Sequence, residues 1–156
     1  MVMQQALQID ALRSASADIQ RAIQSLPPEA LTAPLDQGWS IVDVIGHLVA
    51  IDEMMWDRLK LMLSEDNPAV VGRVPESPFK GMTITAQAVL DAWNKTRQDL
   101  CRWLEALPPG ALNRHATHNE RGRITLRTEV QIMVDHDTEH LNQIIALRKQ
   151  WEDQQR

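Results

Sequence analysis

The sequence predicts an all-α protein, a four-helix bundle, on three observations. Four stretches, each of roughly 20 residues or more, repeat apolar side chains at the helical period. No segment alternates apolar and polar residues well enough to read as a strand. Helix start and stop signals fall at the ends of these stretches and not inside them.

The first stretch, 3–26, lines Leu12, Ala15, Ile19, Ala22, Ile23 and Leu26 along one face, and Pro27 stops it. In the second, 40–63, Ile41, Val44, Ile45, Leu48, Ile51, Met55, Leu59 and Met62 form the stripe. Ser40 precedes it with Asp43 three residues on, a capping-box pattern with aspartate in place of glutamate. The third, 85–107, carries Val89, Trp93, Leu100, Trp103, Leu104 and Leu107, and Pro108 stops it. The fourth, 125–151, starts at a capping Thr125 and carries Leu126, Val130, Met133, Leu141, Ile144, Leu147 and Trp151. Helices of matched length, about 30 Å at ~1.5 Å per residue, each with one apolar face, bury those faces against one another. A single helical domain over 1–156 is expected. A Leu-Pro-Pro echo at 26–28 and 107–109 precedes each histidine-bearing helix, and either a duplicated hairpin or a recurring helix stop explains it. The connections 27–38, 65–82 and 108–124 are long, as covers over functional sites often are, although plain surface loops are equally long.

The net charge of −5 and scattered basic residues argue against a nucleic-acid partner. Cys101, the one cysteine, excludes an internal disulfide and fits a reducing compartment. The N-terminus lacks a signal-peptide pattern, and no apolar run approaches the roughly 18 residues of a membrane span. A cytoplasmic protein without nucleic-acid or membrane partners is expected.

The chemistry-bearing residues are histidines. His136 and His140 stand at i, i+4, so both rings leave one helix face a turn apart, the spacing with which one helix gives a metal two ligands. His140 falls inside the apolar stripe of its helix, His136 at its edge, and His47 on the flank of the second stripe. A lone buried histidine is ordinary; three that a bundle can bring together favour a metal, because unpaired imidazoles facing a core are costly. Three neutral imidazoles with an open position describe a catalytic type of site. A divalent ion is implied, with zinc or nickel first among candidates that include iron and copper. Asp52 and Asp137 also point inward. They either accept a ligand's free N–H or pair with an arginine such as Arg58 or Arg97. His115 and His118 lie in a polar connection, either as exposed loop residues or as an extra ligand or proton shuttle. Cys101 reads as a buried, inert thiol, and Trp39, just before the cap, looks positional.

Two other metal motifs fail. The run 136–140 matches the H-x-x-E-H of inverted zincins, but too little chain follows to supply their further ligand, and Glu139 points off the stripe. A ferritin-like di-iron bundle needs glutamate followed by histidine three residues later, and no glutamate here has one.

The segments WSIVDVIGHL at 39–48 and MVDHDTEHLNQI at 133–144 resemble the first and last motifs of the DinB/YfiT-like superfamily. The resemblance implies an up-down-down-up four-helix bundle, often a homodimer, with a divalent metal on His47, His136 and His140 and water in the remaining place. Family members include bacillithiol and other low-molecular-weight thiol S-transferases and a mycothiol-dependent maleylpyruvate isomerase with an extra C-terminal domain that this chain has no room for. The partner so implied is a small-molecule thiol or electrophile. Three functions follow as alternatives: a metal-dependent S-transferase or hydrolase, a non-catalytic metal- or ligand-binding stress-response module, or a metal-free structural bundle.

Overall fold

Each periodic stretch is a helix in the computed structural model, which describes residues 3–35 and 37–156. Helix α1 spans Met3–Ala22, α3 Ile41–Ser64, α4 Ala86–Glu105 and α5 Leu126–Gln154, with a one-turn helix α2 at Pro28–Thr32. The start signals act as their chemistry requires. Ser40 Oγ accepts from the Asp43 N–H at 3.1 Å while Asp43 Oδ2 accepts from the Ser40 N–H at 2.9 Å, a complete capping box. Thr85 caps α4 through the Ala88 N–H, and Thr125 caps α5 through the Thr128 N–H.

Side-chain bonds between helices give their directions. Gln5 reaches the Leu104 carbonyl and Ser16 reaches Asn94, so α1 and α4 run antiparallel. Gln8 meets Gln131 and Arg148 meets the Ala22 carbonyl, so α1 and α5 run parallel. His47 lies beside His136 and His140, and Arg58 beside Glu129, so α3 opposes α5. The bundle is therefore up-down-down-up. Its consequence lies between α3 and α4: parallel neighbours need a connection running back the length of the bundle, about 36 Å for a helix the length of α3. Residues 65–85 make that return along α3. They are pinned by Arg58 at the Val71 carbonyl (2.9 Å) and by His47 at the Pro75 carbonyl (2.8 Å).

Two of the long connections hold what the helical reading did not include, a small three-stranded sheet. Strand β1 (Ala69–Val70) pairs in parallel with β2 (His115–His118), which pairs antiparallel with β3 (Gly122–Thr125). The β2–β3 turn closes through Gly122, whose φ of 72° suits glycine. These strands are too short to show a period in sequence, and β1 gains its partner only because the return segment passes beside the hairpin.

The core has two apolar halves. One gathers Leu12, Met55, Leu59, Leu100, Val130 and Met133; the other gathers Ile19, Ile45, Leu48, Val89, Trp93 and Ile144. Between them lies a polar layer built on Arg97 of α4. Its guanidinium donates to Asp52 of α3 (2.8 and 2.9 Å), to Asp137 of α5 (2.6 and 3.0 Å) and to the Leu12 carbonyl of α1 (2.9 Å), so one side chain joins all four long helices. Trp93 Nε1 also donates to Asp52, at 3.1 Å. Burial works against the Arg97 charge, but the two carboxylates more than offset it, and its pKa is raised. No helix among the described residues is long and apolar enough to cross a membrane.

Candidate metal centre

The seam between α3 and α5 brings His47, His136 and His140 together. Each offers a nitrogen within 4.8 Å of the others, and ring centroids lie 4.3 to 5.4 Å apart. The i, i+4 spacing gives α5 two rings on one face; the antiparallel register of α3 sets His47 opposite them. His47 sits deeper than a flank position suggests, at 3% exposure, because the return segment covers it. Trp39 is positional as expected: its ring stands edge-on to His47 at 5.4 Å.

Hydrogen bonds settle which nitrogens face inward. The Pro75 carbonyl only accepts, so His47 carries its proton on Nδ1 and turns a lone pair at Nε2 to the cluster. His140 Nδ1 donates to Gln143 Oε1 at 2.7 Å, leaving its Nε2 as an acceptor. His136 Nε2 stands 3.1 Å from His140 Nε2, while His136 Nδ1 is buried without a hydrogen-bond partner among the described residues. Burial, aided by His140, His47 and Arg97, pushes His136 down to about 4. Burial likewise lowers His47, ahead of the opposing pull of the Pro75 carbonyl. His47 and His136 are therefore held neutral at neutral pH, and each of the three rings turns a nitrogen to the cluster.

That donor set fits a divalent transition metal. Two imidazoles on one tetrahedral zinc at ~2.05 Å each stand about 3.3 Å apart, close to the 3.1 Å between the α5 histidines. Carbonyl and amide partners behind His47 and His140 are the usual means of fixing ligand tautomers. No carboxylate among the described residues joins the cluster, which sets it apart from di-iron bundles.

The cluster opens on a cleft of about 690 Å³. Ile51, Met54 and Met133 supply apolar wall; Arg58, Arg73 and Arg121 supply charge. Exposed Glu139 lines it too, off the apolar stripe as its wheel position requires.

The remaining candidates resolve differently. Asp52 and Asp137 do not back the histidines; both serve Arg97, the arginine alternative. Asp137 follows His136 by one position and so faces the neighbouring side of α5, toward α4. His115 and His118 stand on β2 and not in a loop, and neither joins the cluster. His118 lines the cleft, buried at 4% exposure. Cys101 is fully buried, and burial pushes its thiol up to about 11, the inert state expected. Sequence reasoning missed Pro75, Gln143 and Gly46. Pro75 and Gln143 act through a backbone carbonyl and an ordinary amide, which leave no signature. Gly46 sits inside a helix for a reason only packing shows: a Cβ there would lie 2.0 Å from Ser77 Oγ of the return segment.

A family model described as the DinB superfamily matches residues 11–144, a span that takes in all three histidines. The chain belongs to the DinB superfamily. This DinB chain is 29% identical over 119 residues to a protein of Oceanobacillus iheyensis named "putative metal-dependent hydrolase", covering 73% of this chain and 69% of that one. A Bacillus mycoides protein of the same name is 27% identical over 138 residues, covering 85% and 78%. The solved structure of YfiT from Bacillus subtilis, described as a probable metal-dependent hydrolase with an unusual four-helix bundle topology, matches with a TM-score of 0.82. It covers 97% of this chain and 90% of that one at 21% identity, a likeness of fold.

Proposed function

We propose that this DinB-superfamily protein is a metal-dependent enzyme. In it His47, His136 and His140 hold a divalent ion, and a nucleophile, a low-molecular-weight thiol or water, is delivered to a small electrophile in the cleft. One observation carries the reading: three imidazoles turn a ring nitrogen to one point, two with tautomers fixed from behind, beside an open cavity. A divalent ion held there supplies Lewis acidity, lowering the pKa of a water or thiol it binds. The chain's own residues do the rest. The Pro75 carbonyl and Gln143 orient the ligands, the apolar wall strips water from one side of a bound molecule, and the arginine wall favours an anionic one. The names of the two bacterial relatives support hydrolysis; the resemblance of the histidine motifs to thiol S-transferases supports thiol transfer. The buried, unpaired Cys101 supports a cytoplasmic setting. The homodimer implied by the family is open to sedimentation equilibrium.

The test has two stages. Metal analysis of protein purified without a histidine tag is expected to find one equivalent per chain, absent from His136→Ala; no metal under any loading sinks the reading. Metal-loaded and metal-free protein are then compared on monochlorobimane with a panel of thiols, and on activated esters without thiol. A metal-dependent rate with a thiol assigns transfer; one without assigns hydrolysis. No rate with either leaves only a metal-binding protein and overturns the enzyme.

A further inference from the structure

We propose that the cleft carries a second subsite, formed by His118, Arg121 and Arg73, that binds an oxyanion, carboxylate or phosphate, on the small molecule seated beside the three histidines. The proposal rests on the reading of the cleft as a small-molecule site.

His118 carries the argument. Its Nδ1 accepts two backbone N–H groups of the β2–β3 turn, from Glu120 at 3.1 Å and Arg121 at 3.2 Å. A ring nitrogen accepting in this way has no proton, so the neutral ring carries its proton on Nε2. Among the described residues nothing accepts from that N–H, although His118 is 96% buried (4% exposed) and lines the cleft. The ring is held in place by its surroundings while its N–H is open to the cleft, where a bound group can accept from it. Gly72 keeps the donor uncovered: a Cβ at that position would lie 3.0 Å from His118 Cε1 and 3.2 Å from Nε2. The sequence reading left His118 as an exposed loop residue, an extra ligand or a proton shuttle; its geometry makes it a hydrogen-bond donor.

The charges around it select the acceptor. Arg73 follows Gly72, is exposed, lines the cleft and forms no ion pair among the described residues. Arg121, also on the wall, pairs with Glu129 at 2.8 Å, but Arg58 holds that same buried carboxylate at 2.8 Å. One carboxylate thus answers two guanidiniums. The exposed Glu120 opposes the set, with its carboxylate near Gly72. Three arginines against Glu120 and Glu129 leave a positive balance beside an N–H donor, which is the recognition chemistry of an oxyanion. Glu139, next to His140 on α5, belongs to the histidine side of the same cleft.

The test is a titration of the zinc-loaded full-length chain with inorganic phosphate, and separately with succinate, at constant ionic strength. It is followed through histidine side-chain ¹H–¹⁵N resonances. The His118 Nε2–H signal is expected to shift saturably with at least one anion, and the tighter of the two names the source. Arg73→Gln and Arg121→Gln are expected to weaken binding about 2- to 5-fold each, the effect of one exposed charge pair, and Glu120→Gln to tighten it. Arg73 makes no hydrogen bond or ion pair among the described residues, so its variant tests the subsite even where another fails to fold. His136→Ala is expected to keep the titration, which separates this subsite from anion capture at the metal and from failure of the metal reading. A His118 signal unmoved by both anions overturns the proposal. Affinity unchanged in both arginine variants, or binding lost in His136→Ala, does the same.

Discussion

Arg97 and Asp137 are joined by two hydrogen bonds, 2.6 and 3.0 Å long, one residue along α5 from His136. The same guanidinium holds Asp52, five residues along α3 from His47. The polar layer therefore fixes the rotation and height of the two helices that carry the metal ligands. Arg97→Met leaves two buried carboxylates without their cation, and the expected loss is about 3–5 kcal/mol of unfolding free energy. Urea unfolding followed by circular dichroism checks it. Arg97→Lys is expected to rescue little, because an ammonium cannot fork to two carboxylates. A loss below about 1 kcal/mol in Arg97→Met would show that the layer tolerates an apolar replacement and does not brace the site.

Gly46 precedes His47 and faces Ser77, whose Cβ and Oγ would lie 2.8 and 2.0 Å from an added methyl group. Pro75, which orients His47, is two residues from Ser77 on the same segment. Gly46→Ala is expected to push that segment away, costing about 1–3 kcal/mol and weakening metal binding by loosening the His47 ring. The double variant Gly46→Ala, Ser77→Gly is expected to recover much of both losses, since it restores the space. Zinc titration with a chromophoric competitor reads the affinity. A double variant no better than the single would place the cause inside α3.

The helices were legible because each apolar face repeats over several turns and because Ser40 and Thr125 mark two of the starts; Thr85 caps a third in the structure. The histidine cluster was legible because i, i+4 spacing fixes two rings locally and only the partner helix remained to be found. Beyond that, local pattern runs out. Whether Asp137 backs a ligand or an arginine depends on about one residue's rotation about α5, within the error of a wheel drawn with uncertain helix ends. The sheet depends on a pairing between Ala69–Val70 and Thr117–His118, 48 residues apart, that no local pattern encodes. The donor state of His118 depends on two backbone N–H groups in a turn, which leave no mark on side-chain chemistry.

Gln143 accepts from His140 Nδ1 at 2.7 Å, and this bond keeps the proton off the nitrogen that faces the cluster. Gln143→Leu removes the acceptor while keeping a similar volume. The expected effect is a 10- to 100-fold weaker metal affinity, as is typical when a partner behind a ligand is lost. The fold is expected to keep nearly all its stability, since the site lies at a cleft margin. Competition zinc titration and thermal melts of the metal-free variant report the two quantities separately. Unchanged affinity would remove Gln143 from the site.

Acid is expected to destabilise the metal-free protein well before its carboxylates titrate. His136 is held down to about 4 in the fold, against an ordinary 6.5 in the unfolded chain, and His47 is lowered as well. A lowered histidine binds its proton in the unfolded state first. As pH falls from about 7 toward 4 the unfolded chain takes up protons that the folded one refuses, so stability rises with pH across that window and levels off above it. Urea midpoints of metal-free protein are expected to drop between pH 7.5 and 5, with part of that slope gone in His136→Ala and the remainder coming from His47 and from His118, which burial also lowers. Bound metal is expected to raise the midpoint most at the alkaline end, where no proton competes for the rings. A flat midpoint from pH 7.5 to 5 in the metal-free chain would mean that His47 and His136 sit in water and not in the buried seam from which the site is built.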